Sequence, residues 1–212
     1  NLYKGLKYRP ISNAAHEIVE YIKSRKDGDE QSLKTRWNKL NNFCMGGLDW
    51  NTIITIGGMS GCGKSSIANE LETSLFDSNP DQNFAVLSFN FEMIAMKQVG
   101  RKISSKLRMT VGDLYSSKES LSDDDFKQVE STASEISKEY DINYVDSPGT
   151  VEQIYETILG FAKDRIHNNP DIGIVIMLDH TLLTKGRQRE SEREILAHLY
   201  KMFMAVKKEI KC

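Results

Sequence analysis

The amino-acid sequence predicts an α/β fold in which helices cover both faces of a mostly parallel central sheet. Short apolar runs rich in β-branched and aromatic residues alternate with segments of helical periodicity along the chain. Such alternation indicates parallel strands joined by crossover helices. Hydrophobic residues make up 39% and charged residues 27% of the 212 residues, values that are typical of a globular protein. The length fits one α/β domain with an additional arm.

Four apolar runs predict the strands, and capping signals predict where several helices begin. Residues 51–56 are expected to form a buried strand, followed by a glycine-rich turn over 57–63 and a helix over about 64–76. Ser122 before three aspartates predicts one helix start, and Thr150 with Gln153 predicts a capping box at another. The other predicted elements are strands at 84–89, 142–145 and 172–178, and helices that end near 106, 140, 167 and 208.

The beginning of the chain predicts a separate arm. Ala15, Ile18, Val19 and Ile22 recur at helical spacing, which predicts a short amphipathic helix that packs either on its own domain or on a neighbouring subunit. The polar stretch that follows, residues 24–30, is interpreted as a linker. We therefore expect an N-terminal arm with a linker helix over 1–36 and an α/β domain over 37–212. The chain starts without methionine and stops where the alternation requires another strand, so we expect a piece of a longer protein.

Net charge and cysteine usage limit the classes of function. The formal net charge is −2, so contact with nucleic acid would depend on a local basic patch, or on a ring that concentrates several patches in one channel. Three widely spaced cysteines, Cys44, Cys62 and Cys212, argue against a disulfide framework or a zinc site and favour a reducing cytoplasm. No apolar stretch approaches the roughly 18 residues of a membrane span.

The strongest motif is the glycine-rich run after the first predicted strand. Gly58-Met-Ser-Gly-Cys-Gly-Lys64-Ser65 matches G-x-x-x-x-G-K-[ST] and precedes a predicted helix, as a phosphate-binding P-loop requires. Glycines let successive backbone N–H groups point at phosphate oxygens, and the helix dipole adds positive potential. Lys64 can reach the β- and γ-phosphates, and the Ser65 hydroxyl can coordinate Mg²⁺. The residues predicted to bind the nucleotide are Gly58, Ser60, Gly61, Cys62, Gly63, Lys64, Ser65 and Ser66.

Two carboxylates are candidates for the remainder of the site. Asp179 ends the apolar run 174–178, which is the Walker B pattern, and is expected to hold Mg²⁺ through water; the alternative is a strand-end or capping residue. Glu92 follows the second predicted strand. It either polarises the water that attacks the γ-phosphate or opens the next helix, where the helix dipole favours an acidic residue. The expected cofactors are ATP and Mg²⁺.

The order of these motifs resembles the RecA-like motor domain of DnaB-type replicative hexameric DNA helicases. The similar segments, which lie within residues 37–210, are Gly46-Gly47-Leu48, the pair Glu92-Met93, residues 145–150, and Asp179 followed by Gly186-Arg187. The resemblance implies a RecA-like P-loop NTPase fold. It also implies an ATPase that forms a homohexameric ring, moves on single-stranded DNA and unwinds duplex. The resemblance implies that Glu92 is the catalytic glutamate and that the linker helix grips the adjacent protomer. Lys64 of the P-loop is the second residue expected to act in catalysis.

By the same resemblance, Lys185, Arg187 and Arg189 lie in a loop that faces the central channel and contacts DNA phosphates. The alternative is a solvated basic loop. Arg101 is likewise either a phosphate-binding or a structural residue. The expected setting is the cytoplasm of a bacterium or of a phage-infected host.

Some features depart from the family pattern, and other functions stay open. His180 stands where an aromatic residue is more usual and is interpreted as a packing residue. The γ-phosphate-sensing strand and the arginine finger are expected beyond Cys212. The alternatives are a small-metabolite kinase, although no arginine-rich lid is identifiable, and a RecA-like nucleotide-binding assembly or regulatory module.

Overall fold

The computed structural model describes residues 8–28, 32–118, 120–179, 184, 186 and 190–210. Each strand in this part of the chain is followed by one or more helices. In chain order, the elements are α1 (Ile11–Asp27), α2 (Asn38–Phe43), α3 (Lys64–Ser78), β1 (Phe84–Asn90), α4 (Ala95–Leu107), α5 (Val111–Tyr115), α6 (Asp123–Glu139), β2 (Ile142–Val145), α7 (Val151–Asn168), β3 (Gly173–Asp179) and α8 (Glu192–Glu209). Within these ranges no helix combines the length and the apolar character that crossing a membrane requires.

Strand β1 lies at the centre of a three-stranded parallel sheet with the order β2-β1-β3. At its carboxyl end, Asn90 lies opposite Asp179 of β3, and Phe89 lies opposite Val145 of β2. All seven residues of β1 are buried, as expected of a parallel strand that is covered on both faces. The predicted parallel α/β architecture is confirmed.

Successive side chains of β1 enter different hydrophobic clusters on the two faces of the sheet. Leu87 and Phe89 belong to the cluster that α7 and α8 cover. Phe84 and Val86 belong to the cluster that includes Leu75 of α3. Because neighbouring side chains of a strand point to opposite faces, β1 is covered by helices on both sides. The helix residues of the first cluster are Ile154, Ile158, Leu199, Met202 and Val206.

The predicted strand at residues 51–56 is wrong. Residues 52–59 have no regular secondary structure, and Ile54 and Ile56 are 52% and 41% exposed. β-branched side chains favour an extended backbone, but a strand also needs a neighbour whose N–H and C=O groups face its own. The described sheet gives this segment no such neighbour, although Trp50 just before it packs over Gly173 at the start of β3.

The helix starts agree with the capping signals in the sequence. The Ser122 hydroxyl accepts a hydrogen bond from the backbone N–H three residues on, at the start of α6. Thr150 and Gln153 form the predicted capping box at the start of α7. Ser191 and Glu194 form another capping box at the start of α8. These bonds satisfy N–H groups that have no acceptor inside the helix.

Helix α1 is longer than predicted and is attached near its C-terminal end. Residues 24–27, which the sequence suggested as linker, are helical, and the helix ends at Gly28 with a φ of 83°. Arg25 donates hydrogen bonds to Asp49 at 2.8 Å and to Ser32 at 3.0 Å. No residue of α1 is buried. The apolar stripe of α1 therefore does not pack on the described part of its own domain.

Candidate functional site

The glycine-rich run forms a tight turn that leads directly into α3. Gly61 and Gly63 have φ values of 75° and 95°, in the left-handed region where glycine meets little steric resistance. Gly63 is the N-cap residue, and the first helical turn, which begins at Lys64, contains no acidic residue. The N–H groups of this turn have no acceptor within the helix, so they are suited to an anion.

Lys64 bridges the turn from the helix side. Its Nζ donates hydrogen bonds to the carbonyl oxygens of Gly58 and Met59, each at 2.9 Å. Gly58 has no room for a side chain, because a Cβ at this position would lie 2.5 Å from the Sγ of Cys62. The exposed Cys62 thus fills the space beside Gly58. The turn is closed by a lysine side chain and requires glycine at its first position.

The P-loop end of α3 lies towards the carboxyl edge of the sheet. Asn69, in the second turn of α3, donates a hydrogen bond to Gln98 at 2.6 Å, and Gln98 donates to Asn90 at 3.0 Å. Asn90 is the last residue of β1 and lies opposite Asp179. Glu92 follows two residues later. Asp179, the last residue of β3, and Glu92, which follows β1, therefore lie at the ends of neighbouring parallel strands, at the edge that receives the beginning of α3.

The donors near this edge fit Mg²⁺. Ser65 and Asp179 are partly buried, whereas Glu92 is exposed. Magnesium prefers oxygen ligands, retains several waters and uses only one or two carboxylates, so a hydroxyl and a carboxylate are a suitable pair. Groups of three or more His, Cys, Asp or Glu side chains that could bind a metal by themselves are absent from the part of the chain that the structure describes.

The alternative interpretation of Glu92, as the residue that opens the next helix, is not favoured. Helix α4 has no acidic residue in its first turn. The carboxylate near its start comes instead from Asp146, which follows β2 and accepts a hydrogen bond from the N–H of Ala95 at 3.2 Å. No local sequence signal points to this role of Asp146, because the two partners are 51 positions apart. Its placement leaves the Glu92 side chain available for another role.

A cavity of about 510 Å³ adjoins α3 beside Ser66. Two arginines, Arg101 and Arg108, are among the residues that line it. Arg101 is partly buried and forms no ion pair with another described residue. Both interpretations of Arg101, phosphate-binding and structural, therefore stay open.

A buried ion pair joins α3 and α4, and the sequence did not predict it. The Nζ of Lys102 in α4 lies 2.7 Å from a carboxylate oxygen of Glu72 in α3. By contrast, the basic residues predicted to contact DNA, Lys185, Arg187 and Arg189, lie outside the described residues, as does His180. Their roles stay predictions.

Comparison with known families decides the classification. Residues 32–212 match the family described as DnaB-like helicase C terminal domain. The chain belongs to this family. A search of curated proteins gave no match.

Two solved structures show that the DnaB-like domain has the expected RecA-like fold. One of them, described as an ATPase domain, superposes with a TM-score of 0.73 at 15% identity, covering 96% of this chain and 68% of that chain. A DnaB-like replicative helicase, solved in a study of its interactions with primase, superposes with a TM-score of 0.70 at 16% identity. That alignment covers 97% of this chain and 48% of the helicase, so the chain spans about half of it. The predicted RecA-like P-loop fold is confirmed.

We expect Lys64→Ala to weaken ATP binding by about 10- to 100-fold. The substitution removes an ammonium donor whose hydrogen bonds to a charged acceptor are each worth about 1.5–3 kcal/mol. Binding can be measured by calorimetry with a non-hydrolysable ATP analogue. Lys127→Ala, at an exposed position in α6, is the matched control and should leave the affinity unchanged. Equal affinity for Lys64→Ala and the native protein would contradict the assignment of Lys64.

Proposed function

We propose that this chain is the motor domain of a replicative DNA helicase that hydrolyses ATP with Mg²⁺ in order to move along single-stranded DNA and separate duplex. One observation carries the proposal: the start of α3, with its unpaired N–H groups, lies towards the sheet edge where Asp179 ends β3 and Glu92 follows the neighbouring β1. Membership in the DnaB-like family supports the same conclusion. The structural relative that is described as an ATPase domain supports it as well.

In the proposed reaction, the P-loop holds the triphosphate and two carboxylates act beside it. The backbone N–H groups at 58–65 and the Lys64 ammonium bind the phosphate oxygens. Ser65 and Asp179 would hold Mg²⁺, which supplies charge neutralisation at the β- and γ-phosphates when it is bound. Glu92 orients the attacking water and accepts its proton. Its exposure is consistent with a group that must reach a water molecule.

We further propose that the chain works in a homohexameric ring in which α1 grips the adjacent protomer. The large side chains of the predicted stripe, Ile18, Val19 and Ile22, are exposed, and so is Ile11 at the start of the same helix. Four large apolar side chains on one helix are costly to leave in water, since burial of each is worth about 1.5–3 kcal/mol. Arg25 fixes the C-terminal end of the helix to its own domain, which leaves the stripe free to bind a second copy.

Single-stranded DNA is the proposed track, and Lys185, Arg187 and Arg189 are the proposed contacts. A net charge of −2 gives the chain as a whole no general attraction for phosphates, so a local patch must supply it. A ring that repeats three basic residues in every subunit would concentrate positive charge in one channel.

Glu92→Gln should retain nucleotide binding within about twofold and lower the turnover number by roughly 10²- to 10⁴-fold, the usual contribution of a general base. The amide keeps the shape of the side chain but cannot accept the proton. Release of inorganic phosphate, with and without single-stranded DNA, measures turnover and also separates hydrolysis from phosphoryl transfer to a metabolite. Glu130→Gln, at an exposed position in α6, is the control. Native turnover in Glu92→Gln would remove Glu92 from the reaction.

The paired change Ile18→Gln with Ile22→Gln should convert the hexamer to smaller species without unfolding the domain. Glutamine preserves helix propensity and removes apolar surface. Glu17→Gln with Glu20→Gln places the same number of glutamines on the opposite, exposed face of α1 and should leave the assembly intact. Sedimentation in the presence of nucleotide measures the oligomer. Intact hexamers in both paired variants would exclude the stripe as the interface.

Replacement of Lys185, Arg187 and Arg189 by glutamine should weaken binding to single-stranded DNA. It should also reduce the slope of log affinity against log salt by about 0.7 for each phosphate that the protein no longer neutralises. Fluorescence anisotropy at several salt concentrations gives both quantities. Glutamine at Lys118, Lys127 and Lys138, three exposed positions elsewhere, is the matched control. A slope equal to that of the native protein would place the DNA-binding surface elsewhere.

A further inference from the structure

Six residues form a closed ring of buried and partly buried hydrogen bonds between α3, β1 and α4: Asn69, Glu72, Ser88, Asn90, Gln98 and Lys102. Asn69 donates to Gln98 at 2.6 Å, and Gln98 donates to Asn90 at 3.0 Å. Asn90 donates to Ser88 at 2.9 Å, and Ser88 donates to Glu72. Lys102 closes the ring, because its Nζ donates to Glu72 at 2.7 Å and to the backbone carbonyl of Asn69 at 3.1 Å.

Stability alone does not account for this hydrogen-bonded ring. The side chains of Lys102 and Glu72 are 1% and 3% exposed, and burial lowers the pKa of Lys102 while the negative charge of Glu72 opposes that shift. The hydroxyl of Tyr144 in β2 donates a further bond to Glu72 at 3.0 Å. Apolar side chains of similar volume usually stabilise a core as well as a buried ion pair does, or better. A satisfied polar network instead fixes one geometry of the elements that it joins.

The hydrogen-bonded ring joins the two parts of the proposed site. Asn69 lies one helical turn beyond Ser65 in α3, and Asn90 is two residues before Glu92. The loop that carries Glu92 is held at both ends, since Asn90 belongs to the ring and Ala95 is bonded to Asp146. We propose that Asn90 and Gln98 are positioning residues that hold Glu92 in a fixed relation to the P-loop helix. This inference rests on the proposed function, in which Glu92 is the base.

The direction of the hydrogen bonds makes the ring sensitive to the loss of one member. Four hydrogen bonds run in one direction around the ring. They lead from Asn69 through Gln98, Asn90 and Ser88 to the carboxylate of Glu72. The amides of Asn90 and Gln98 each donate one bond and accept another, so removing either side chain leaves a donor and an acceptor without partners. Catalysis responds steeply to such a change, because displacement of a reacting group by about 1 Å can lower the rate on the order of 100-fold.

The test compares Asn90→Ala with Asn79→Ala. Asn79 is a buried asparagine at the other end of α3, where it donates to the carbonyl oxygens of Lys34 and Leu75 at 2.8 and 2.7 Å. Both changes remove the same side chain and at least two of its hydrogen bonds. We expect Asn90→Ala to lower kcat for ATP by about 10- to 100-fold with KM changed less than about threefold. Asn79→Ala should lower the melting temperature to a similar extent and leave kcat unchanged.

Gln98→Leu should reproduce the fall in kcat, since leucine fills the space of glutamine without its hydrogen bonds. In the Glu92→Gln background, Asn90→Ala should cause no further loss of turnover, because residues that act through one base are not additive. The inference is wrong if Asn90→Ala and Asn79→Ala affect kcat equally. It is also wrong if Asn90→Ala lowers kcat by the same factor in the native protein and in the Glu92→Gln variant.

Amide hydrogen exchange separates this inference from the proposed function. Exchange at residues 91–93 should accelerate in Asn90→Ala and stay at the native rate in Asn79→Ala, whether or not Glu92 is the base. Glu92→Gln could retain turnover while amide exchange at residues 91–93 changes as expected. The assignment of Glu92 as the base would then fail, but the conclusion that the ring positions the loop at 91–93 would stand. Unchanged exchange at 91–93 in Asn90→Ala would overturn the positioning itself.

Discussion

The parallel pairing of β1 with both of its neighbours determines where the functional groups of the domain lie. Its register places Asn90 opposite Asp179, so the carboxylates after β1 and β3 emerge at one edge of the sheet. Its two faces hold the helices apart, with α7 and α8 on one side and α3 on the other. All seven residues of β1 are buried. A shift in this register would therefore expose the core, and it would also move Asp179 and Glu92 apart. Fold stability and site geometry thus depend on the same hydrogen-bonded ladder.

At the carboxyl end of β1 the two faces of the strand differ in chemistry. Leu87, Phe89 and Phe91 pack in an apolar cluster, whereas Ser88 and Asn90 face the polar residues of α3 and α4. Apolar packing is non-directional and tolerates small shifts, but hydrogen bonds require particular distances and angles. The polar contacts occur on the face that carries the P-loop helix, where position matters most. The opposite face packs on apolar residues of α7 and α8, and on the P-loop face Phe84 and Val86 in the first half of β1 are apolar as well.

Local signals in the sequence predicted most of the fold, and non-local contacts account for the errors. The sequence reveals the helix caps at Ser122 and Thr150 and the glycines before Lys64, because each of these signals acts within a few residues. The strand expected at 51–56 failed because strand propensity does not specify a pairing partner. The hydrogen-bonded ring was missed because its members come from three elements. The one signal was the pair Ser88 and Asn90, two polar residues on the same face of an otherwise apolar strand.

Helix α1 meets the rest of the described chain through the hydrogen bonds of Arg25, near one end of the helix. Its 17 residues span about 25 Å at roughly 1.5 Å per residue. Arg25 is therefore the point about which a tilt of the helix would turn. A tilt of about 10° displaces the far end by roughly 4 Å. In the proposed ring, such tilts would let successive subunits be staggered along the ring axis while each helix stays attached at Arg25.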